Sequence, residues 1–231
     1  MNDLNTCGIF KRYSSCVIAE NSYVAVEGCS ALVVDPNLNP RLIGDLKDLG
    51  VTDVRILLTH EHPDDTCGVP ALTDAFAVEL GCSKWCARSI WDARNNMPTL
   101  VAMMFVAKFG EAGKDQAKRL MEVWKPYVCR ATHEFVDGEN FEWCGHRLAV
   151  TCTPGHSRGS CCIEFDGEYV FSGDSLLLDT PVITRLPGGS AREYSDFTVP
   201  FLRTLVGQRI ALPGHGDSFE ITSEIVERTC A

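Results

Sequence analysis

Val54-Arg55-Ile56-Leu57-Leu58-Thr59-His60-Glu61-His62-Pro63-Asp64-Asp65 is the stretch on which the reading of this chain turns. Val54, Ile56, Leu57 and Leu58 have the pattern of a buried β-strand, and that pattern stops abruptly at Thr59. Two imidazoles and two carboxylates then crowd into a single turn. A strand that ends on such a set has few uses other than gripping a cation. Neutral imidazole and carboxylate are the common ligands of zinc and similar metals.

Three further strand ends supply what this turn lacks. Thr153-Pro154-Gly155-His156-Ser157-Arg158-Gly159-Ser160 follows an apolar strand, and its Pro-Gly pair forces a turn that leaves His156 at the strand's end. Phe171-Ser172-Gly173-Asp174-Ser175 delivers an aspartate after a glycine, and Leu212-Pro213-Gly214-His215-Gly216-Asp217 closes the set. Glycine in these turns lets backbones approach closely. His133 and His146 sit beside predicted turns with no matching partner and read as ordinary surface or core residues.

This ordered set resembles the metallo-β-lactamase fold superfamily, and most closely its glyoxalase II-like hydrolases. The resemblance spans nearly the whole chain, leaving out a segment at about 83–127. It implies an α/β fold, a four-layer αββα sandwich of two mixed sheets with helices outside and metals in a cleft at one edge. It also implies roles: His60, His62 and His156 for a first zinc, Asp64 and His215 for a second divalent ion, and Asp174 bridging the two. The implied nucleophile is a hydroxide held between the ions, with Asp64 and Asp174 as its catalytic carboxylates. Three nitrogens with an open position suit a catalytic zinc. One departure stands out: the family's second-site histidine is here Asp65. Asp65 either ligates, making an oxygen-rich site suited to manganese or iron, or orients a ligand through water, or leaves a one-metal enzyme. Retained binding is the favoured reading. Cys67 stands where the family usually has a small residue, and reads as a buried filler.

Composition narrows the partners. A formal charge of −10 repels nucleic-acid backbones and points to a small-molecule substrate. No apolar run approaches the roughly 20 residues that span a bilayer, and Met1 to Lys11 does not resemble a secretory signal, so a cytoplasmic protein is expected. The twelve cysteines lack zinc-finger spacing and read mostly as buried small hydrophobes.

The 231 residues read as one domain. Strands are expected at 15–20, 23–27 and 30–35, a helix at 40–49, the strand through Leu58, a helix at 69–76 and a strand at 77–80. Helical periodicity at 84–93, 99–109 and 114–124 marks an insertion. Its apolar middle, with Leu100, Met103, Met104 and Val106, suits a lid over the site or a dimer interface. Strands return at 141–144, 147–152, 160–165 and 169–172, with Asp166-Gly167 as a hairpin turn. A loop to Gly189 leads to a helix near 195–206, a last strand at 209–212 and a last helix at 222–228.

The leading expectation is a metal-dependent hydrolase whose metal-bound hydroxide attacks an ester, a thioester or a similar small anionic substrate. Arg185 and Arg158 are candidates to receive the substrate's anionic group, and Tyr194 to point into the cleft. Iron-dependent sulfur or oxygen chemistry on the same fold is one alternative. A non-catalytic metal-binding scaffold is another.

Overall fold

Every strand of the computed structural model, which describes residues 6–15 and 19–229, belongs to one of two sheets. The first sheet runs in chain order: β1 (Thr6–Cys7), β2 (Phe10–Ser14), β3 (Asn21–Glu27), β4 (Ser30–Val34), β5 (Asp53–Leu57), β6 (Ala77–Ser83) and β7 (His133–Phe135). Its strands are antiparallel up to β4 and parallel from β4 to β7. The second sheet comprises β8 (Asn140–Trp143), β9 (His146–Cys152), β10 (Cys161–Phe165), β11 (Tyr169–Gly173), β12 (Ile210–Pro213) and β13 (Phe219–Glu220), with only β11 and β12 parallel. Helices α1 (Leu42–Asp48), α2 (Pro63–Thr66), α3 (Val69–Ala75), α4 (Lys84–Ile90), α5 (Pro98–Phe109) and α6 (Glu111–Val123) connect strands of the first sheet. Helix α7 (Ala191–Glu193), a π-helical stretch over Tyr194–Thr198, α8 (Val199–Thr204) and α9 (Ser223–Thr229) serve the second.

Side-chain alternation along the strands sorts the apolar residues into layers. Leu32, Leu57 and Phe10 of the first sheet meet Leu148, Ile163 and Phe171 of the second in the central core. Phe10 sets its ring edge-on to Phe165 and Phe171, with centroids 4.8 and 5.0 Å apart. Val33, Ile56 and Leu80 face outward, under Leu46 of α1, Leu72 of α3 and Ile90 of α4. Val170 and Ala211 face the other way, under Leu202 of α8 and Val226 of α9. Strands covered on both faces read as unbroken apolar runs, which is why the sequence shows Ala31-Leu32-Val33-Val34 without alternation. The result is the αββα sandwich.

Two details differ from the sequence reading. The strand expected at 15–20 lies earlier, as β2, because Ser15 and Glu20 close a turn instead: the Ser15 N–H donates to the Glu20 carbonyl at 2.8 Å. Cys16, Val17 and Ile18 lie outside the described residues. The short β7 adds an edge strand that no periodicity announces. The Asp166-Gly167 turn is as expected, with φ of +51° and +67° at its two central residues. No helix among the described residues is long and apolar enough to cross a membrane.

Topology brings the decisive loops together. In the second sheet β9, β11 and β12 all point the same way, so their C-terminal ends open on one edge. There the Cys161 N–H donates to the Thr59 carbonyl at 2.7 Å, joining the second sheet to the end of β5.

Candidate metal centre

Strand β5 ends in a backbone clamp. Asp35, just past β4, accepts both the Thr59 N–H and the Thr59 hydroxyl at 2.8 Å. Because that hydroxyl spends its proton on Asp35, it accepts from His60 Nδ1, 3.1 Å away. His60 Nε2 is then left with a bare lone pair, buried and without a hydrogen-bond partner, and Asp65 Oδ2 lies 3.2 Å from it. The turn tolerates no bulk: a Cβ on Gly173, at φ +47°, lies 2.2 Å from Thr59 Oγ1.

His156 is fixed by the same logic. Its Nδ1–H donates to the Ile183 carbonyl at 2.8 Å, so its Nε2 accepts from the His62 Nδ1–H at 2.8 Å and lies 3.5 Å from Asp174 Oδ2, while His62 Nε2 is buried without a hydrogen-bond partner. One ring nitrogen from each of His60, His62 and His156 falls within 4.8 Å of the others, a group able to hold a metal ion. Opposite them, the His215 Nδ1–H reaches the Ala19 carbonyl at 3.3 Å. Its Nε2 therefore faces Asp174 Oδ2 at 3.7 Å and Asp64 Oδ2 at 3.9 Å. Asp174 thus stands between the imidazole trio and His215.

Lone pairs aimed at one another across 3 to 4 Å repel unless positive charge lies among them. The donor set fits a cation on that ground. Asp65 Oδ1 and Oδ2 and Asp174 Oδ1 are likewise buried without hydrogen-bond partners. A Cβ placed on Gly214 meets Asp174 Oδ1 at 2.5 Å and Asp65 Oδ1 at 3.3 Å, so both carboxylates border the same glycine. Burial, helped by the neighbouring imidazoles, drives the His60 pKa well below its ordinary value. Burial pushes His62 down to about 3. Both rings are neutral near pH 7, which is the ligand form. Burial also raises Asp64, and it raises Asp65 strongly, with Asp64 and Asp174 adding repulsion.

Sequence reasoning missed three supporting groups. Glu61, between the two histidines, accepts from Ser157 Oγ at 2.7 Å and from the Gly159 N–H at 3.2 Å, and so pins the His156 loop. Asp35 sits a whole strand away from the motif and had no local signal. Glu20 is completely buried, its carboxylate lacks a hydrogen-bond partner, and burial followed by repulsion from Asp64 raises its pKa well above the ordinary range. Cys67 is packing: its thiol donates to the Asp64 carbonyl at 3.2 Å, and it lies among Val101, Ala102, Leu120 and Trp124.

A cleft of about 1360 Å³ opens over His62, Asp64, His156, Asp174 and His215. The inserted helices form one wall through Met97, Val101 and Phe109, while Met103 points away, 69% exposed. Arg158 lines the cleft; Arg185 is exposed and does not. Tyr194 corrects the sequence reading. Its ring is buried in the core under the second sheet, and its hydroxyl donates to the Ser175 carbonyl at 2.9 Å, so it cannot reach substrate. His133 and His146 pair with Glu139 and Asp166, away from the site.

Known proteins bear out the architecture. An uncharacterized protein of Mycobacterium leprae is 28% identical over 212 residues, covering 88% of this chain and 89% of its own length. The probable metallo-hydrolase YqgX of Bacillus subtilis is 25% identical over 210 residues, covering 90% of each chain. The crystal structure of TTHA1623 in a di-iron-bound form superposes with a TM-score of 0.69 at 24% identity, over 94% of this chain and 97% of that one. The profile of the Metallo-beta-lactamase superfamily matches residues 17–215, a span that takes in every strand end described above, and the chain belongs to that superfamily.

Proposed function

We propose that the protein is a metal-dependent hydrolase of esters, thioesters or similar small anionic substrates, with zinc on the imidazole trio. A second divalent ion is held by Asp64, Asp65, Asp174 and His215, an oxygen-rich set that favours manganese or iron. The observation that carries this reading is the convergence of one ring nitrogen from each of His60, His62 and His156 to within 4.8 Å, with Asp174 between them and His215. Membership of the superfamily and similarity to a probable metallo-hydrolase support it.

A bound divalent ion supplies a water acidic near neutral pH, with a pKa of about 7, and a Lewis acid for the carbonyl. The chain does the rest. Thr59 and the Ile183 carbonyl hold His60 and His156 in the tautomers that leave Nε2 bare. Asp64 and Asp174 both reach the cleft, where their oxygens orient the attacking water and take its proton. Water adds at the acyl carbon, the C–S or C–O bond breaks, and the proton leaves with the departing thiol or alcohol.

Elemental analysis of protein purified without added metal, with a screen of thioesters, lactones and phosphodiesters, tests this. Bound metal and turnover that disappears with chelation and in the His156→Ala variant are expected. Metal-replete protein that turns over none of these substrates sinks the reading. Iron-dependent redox chemistry is the second reading, favoured by the oxygen-rich ligand set and by the di-iron-bound neighbour. Oxygen uptake by iron-loaded protein separates the two.

A further inference from the structure

Six of the fourteen arginines of this acidic protein are held in ion pairs. Arg12, Arg55, Arg94, Arg192, Arg203 and Arg209 each pair with a carboxylate. Arg88 and Arg158 do not: among the described residues neither makes an ion pair. Both instead lie over the ring of Trp85, the Arg158 guanidinium at 3.6 Å and the Arg88 guanidinium at 4.8 Å from its centroid. Trp85 and Arg88 are three residues apart on α4, hence neighbours on one helix face. Arg158 arrives from the loop after β9. All three line the cleft.

The placement is held from below. Glu61 pins the Arg158 loop by accepting from Ser157 Oγ and the Gly159 N–H, and makes no ion pair with Arg158. Ser83 caps α4 by accepting the Cys86 N–H at 3.2 Å, and its hydroxyl donates to the Gly159 carbonyl at 2.6 Å. The helix and the loop are therefore tied together directly beneath the two arginines. A guanidinium stacked on an indole keeps its N–H edge free for a planar or tetrahedral oxyanion. Two unpaired positive charges on an aromatic shelf, in a chain of net charge −10, form a recognition surface for a dianion.

We propose that Trp85, Arg88 and Arg158 bind the distal oxyanion group of the substrate, a phosphate or a pair of carboxylates carried on an arm away from the scissile carbonyl. This rests on the hydrolase reading and names its substrate class. Arg158 follows His156 by two residues, so the Cα atoms of the two lie within about 7 Å of each other, and shelf and His156 line the same cleft. The cleft, at about 1360 Å³, exceeds what a small ester fills and has room for such an arm along its apolar wall.

The test compares acetyl thioesters of three thiols on the metal-replete protein: a neutral N-acetylcysteamine arm, a dicarboxylate arm and a phosphorylated pantetheine arm. At least one charged arm is expected to lower KM by about tenfold or more per engaged arginine, and added salt to erode that preference. Arg88→Met and Arg158→Met are expected each to shrink the KM ratio between neutral and charged arms by about tenfold, with Lys47→Ala, on exposed α1, as the unaffected control. Whichever charged arm responds identifies the oxyanion. A second readout needs no turnover: the phosphorylated and dicarboxylate thiols are titrated against tryptophan emission in wild type, Arg158→Met and Trp85→Phe.

Turnover with equal KM for all three arms overturns the shelf and leaves the hydrolase reading intact. No turnover, with emission changes that vanish in Arg158→Met, keeps the shelf and removes the hydrolase reading. No turnover and no arginine-dependent emission change removes both.

Discussion

Asp35 decides which nitrogen of His60 is available, although it touches no imidazole. Its two oxygens accept the Thr59 N–H and O–H, and that fixes the direction of the proton chain toward His60. In Asp35→Asn the amide oxygen can keep the backbone N–H, but the amide nitrogen then donates to Thr59 Oγ1. The threonine proton is turned toward His60 Nδ1, and the imidazole proton is driven onto Nε2, the atom the site needs bare. Metal affinity measured by chelator competition is expected to fall by about 10- to 100-fold, the usual cost of losing such a partner. Unchanged affinity refutes the tautomer argument. Residues of this kind mark the limit of sequence legibility. His60, His62, Asp64, His156, Asp174 and His215 each stand in a local motif at a strand end, and the structure brings them to one cleft edge. Asp35 and Glu20 carry no such signal, because their surroundings arise only when β4 lies beside β5 and when Glu20 and Asn21 pair with His215 and Gly214. Tyr194 failed for the converse reason: position along the chain says nothing about which way a π-helical stretch aims its rings.

Helical periodicity made the inserted segment readable as three helices, yet it could not say what they pack on. The contact that matters is polar. Tyr127, just after α6, places its hydroxyl 2.6 Å from Thr66 Oγ1 and 3.2 Å from the Pro63 carbonyl, both within the α2 turn that carries Asp64 and Asp65. Trp124 and Leu120 add a small apolar cluster around Cys67 on the same turn. The insertion is therefore fastened to the metal-bearing turn as well as walling the cleft. Tyr127→Phe removes the tie and keeps the ring. Since the hydroxyl of Thr66 and the carbonyl of Pro63 lose a partner in a mostly buried place, a loss of about 1 to 2 kcal/mol is expected in denaturant unfolding. Hydrogen exchange is expected to rise at residues 63–67 and to stay unchanged in the central strands. Equal stability and exchange in the variant show the insertion to be only lightly held.

Across the whole molecule, burying this much negative charge at one edge makes metal-free stability depend on pH in a definite direction. Burial raises Asp35 to about 7, and raises Asp65 and Glu20 well above the ordinary carboxyl range of about 4. Between about pH 4 and those raised values the folded chain holds protons that the unfolded chain has already released. Stability from these groups is therefore complete at low pH and is lost as pH rises through the folded values, by up to about 1.4 kcal/mol per pH unit for each titrating group. His60 and His62 have the opposite sign, because their folded values are lowered and the unfolded chain binds their protons first. Their effect fades over about pH 6.5 to 7.5, above which both rings are neutral in either state. Above that, the raised carboxylates and the buried thiols of Cys67, Cys86 and Cys161, whose folded values are also raised, act in the same direction. Protein stripped with a chelator is accordingly expected to melt at progressively lower temperature from pH 6.5 to 8.5 in calorimetry. Reloaded protein is expected to hold its melting temperature over the same range, since a bound cation favours the ionised carboxylates and offsets their repulsion. A flat or rising profile for the stripped protein contradicts the view that these acids are packed around a place for positive charge.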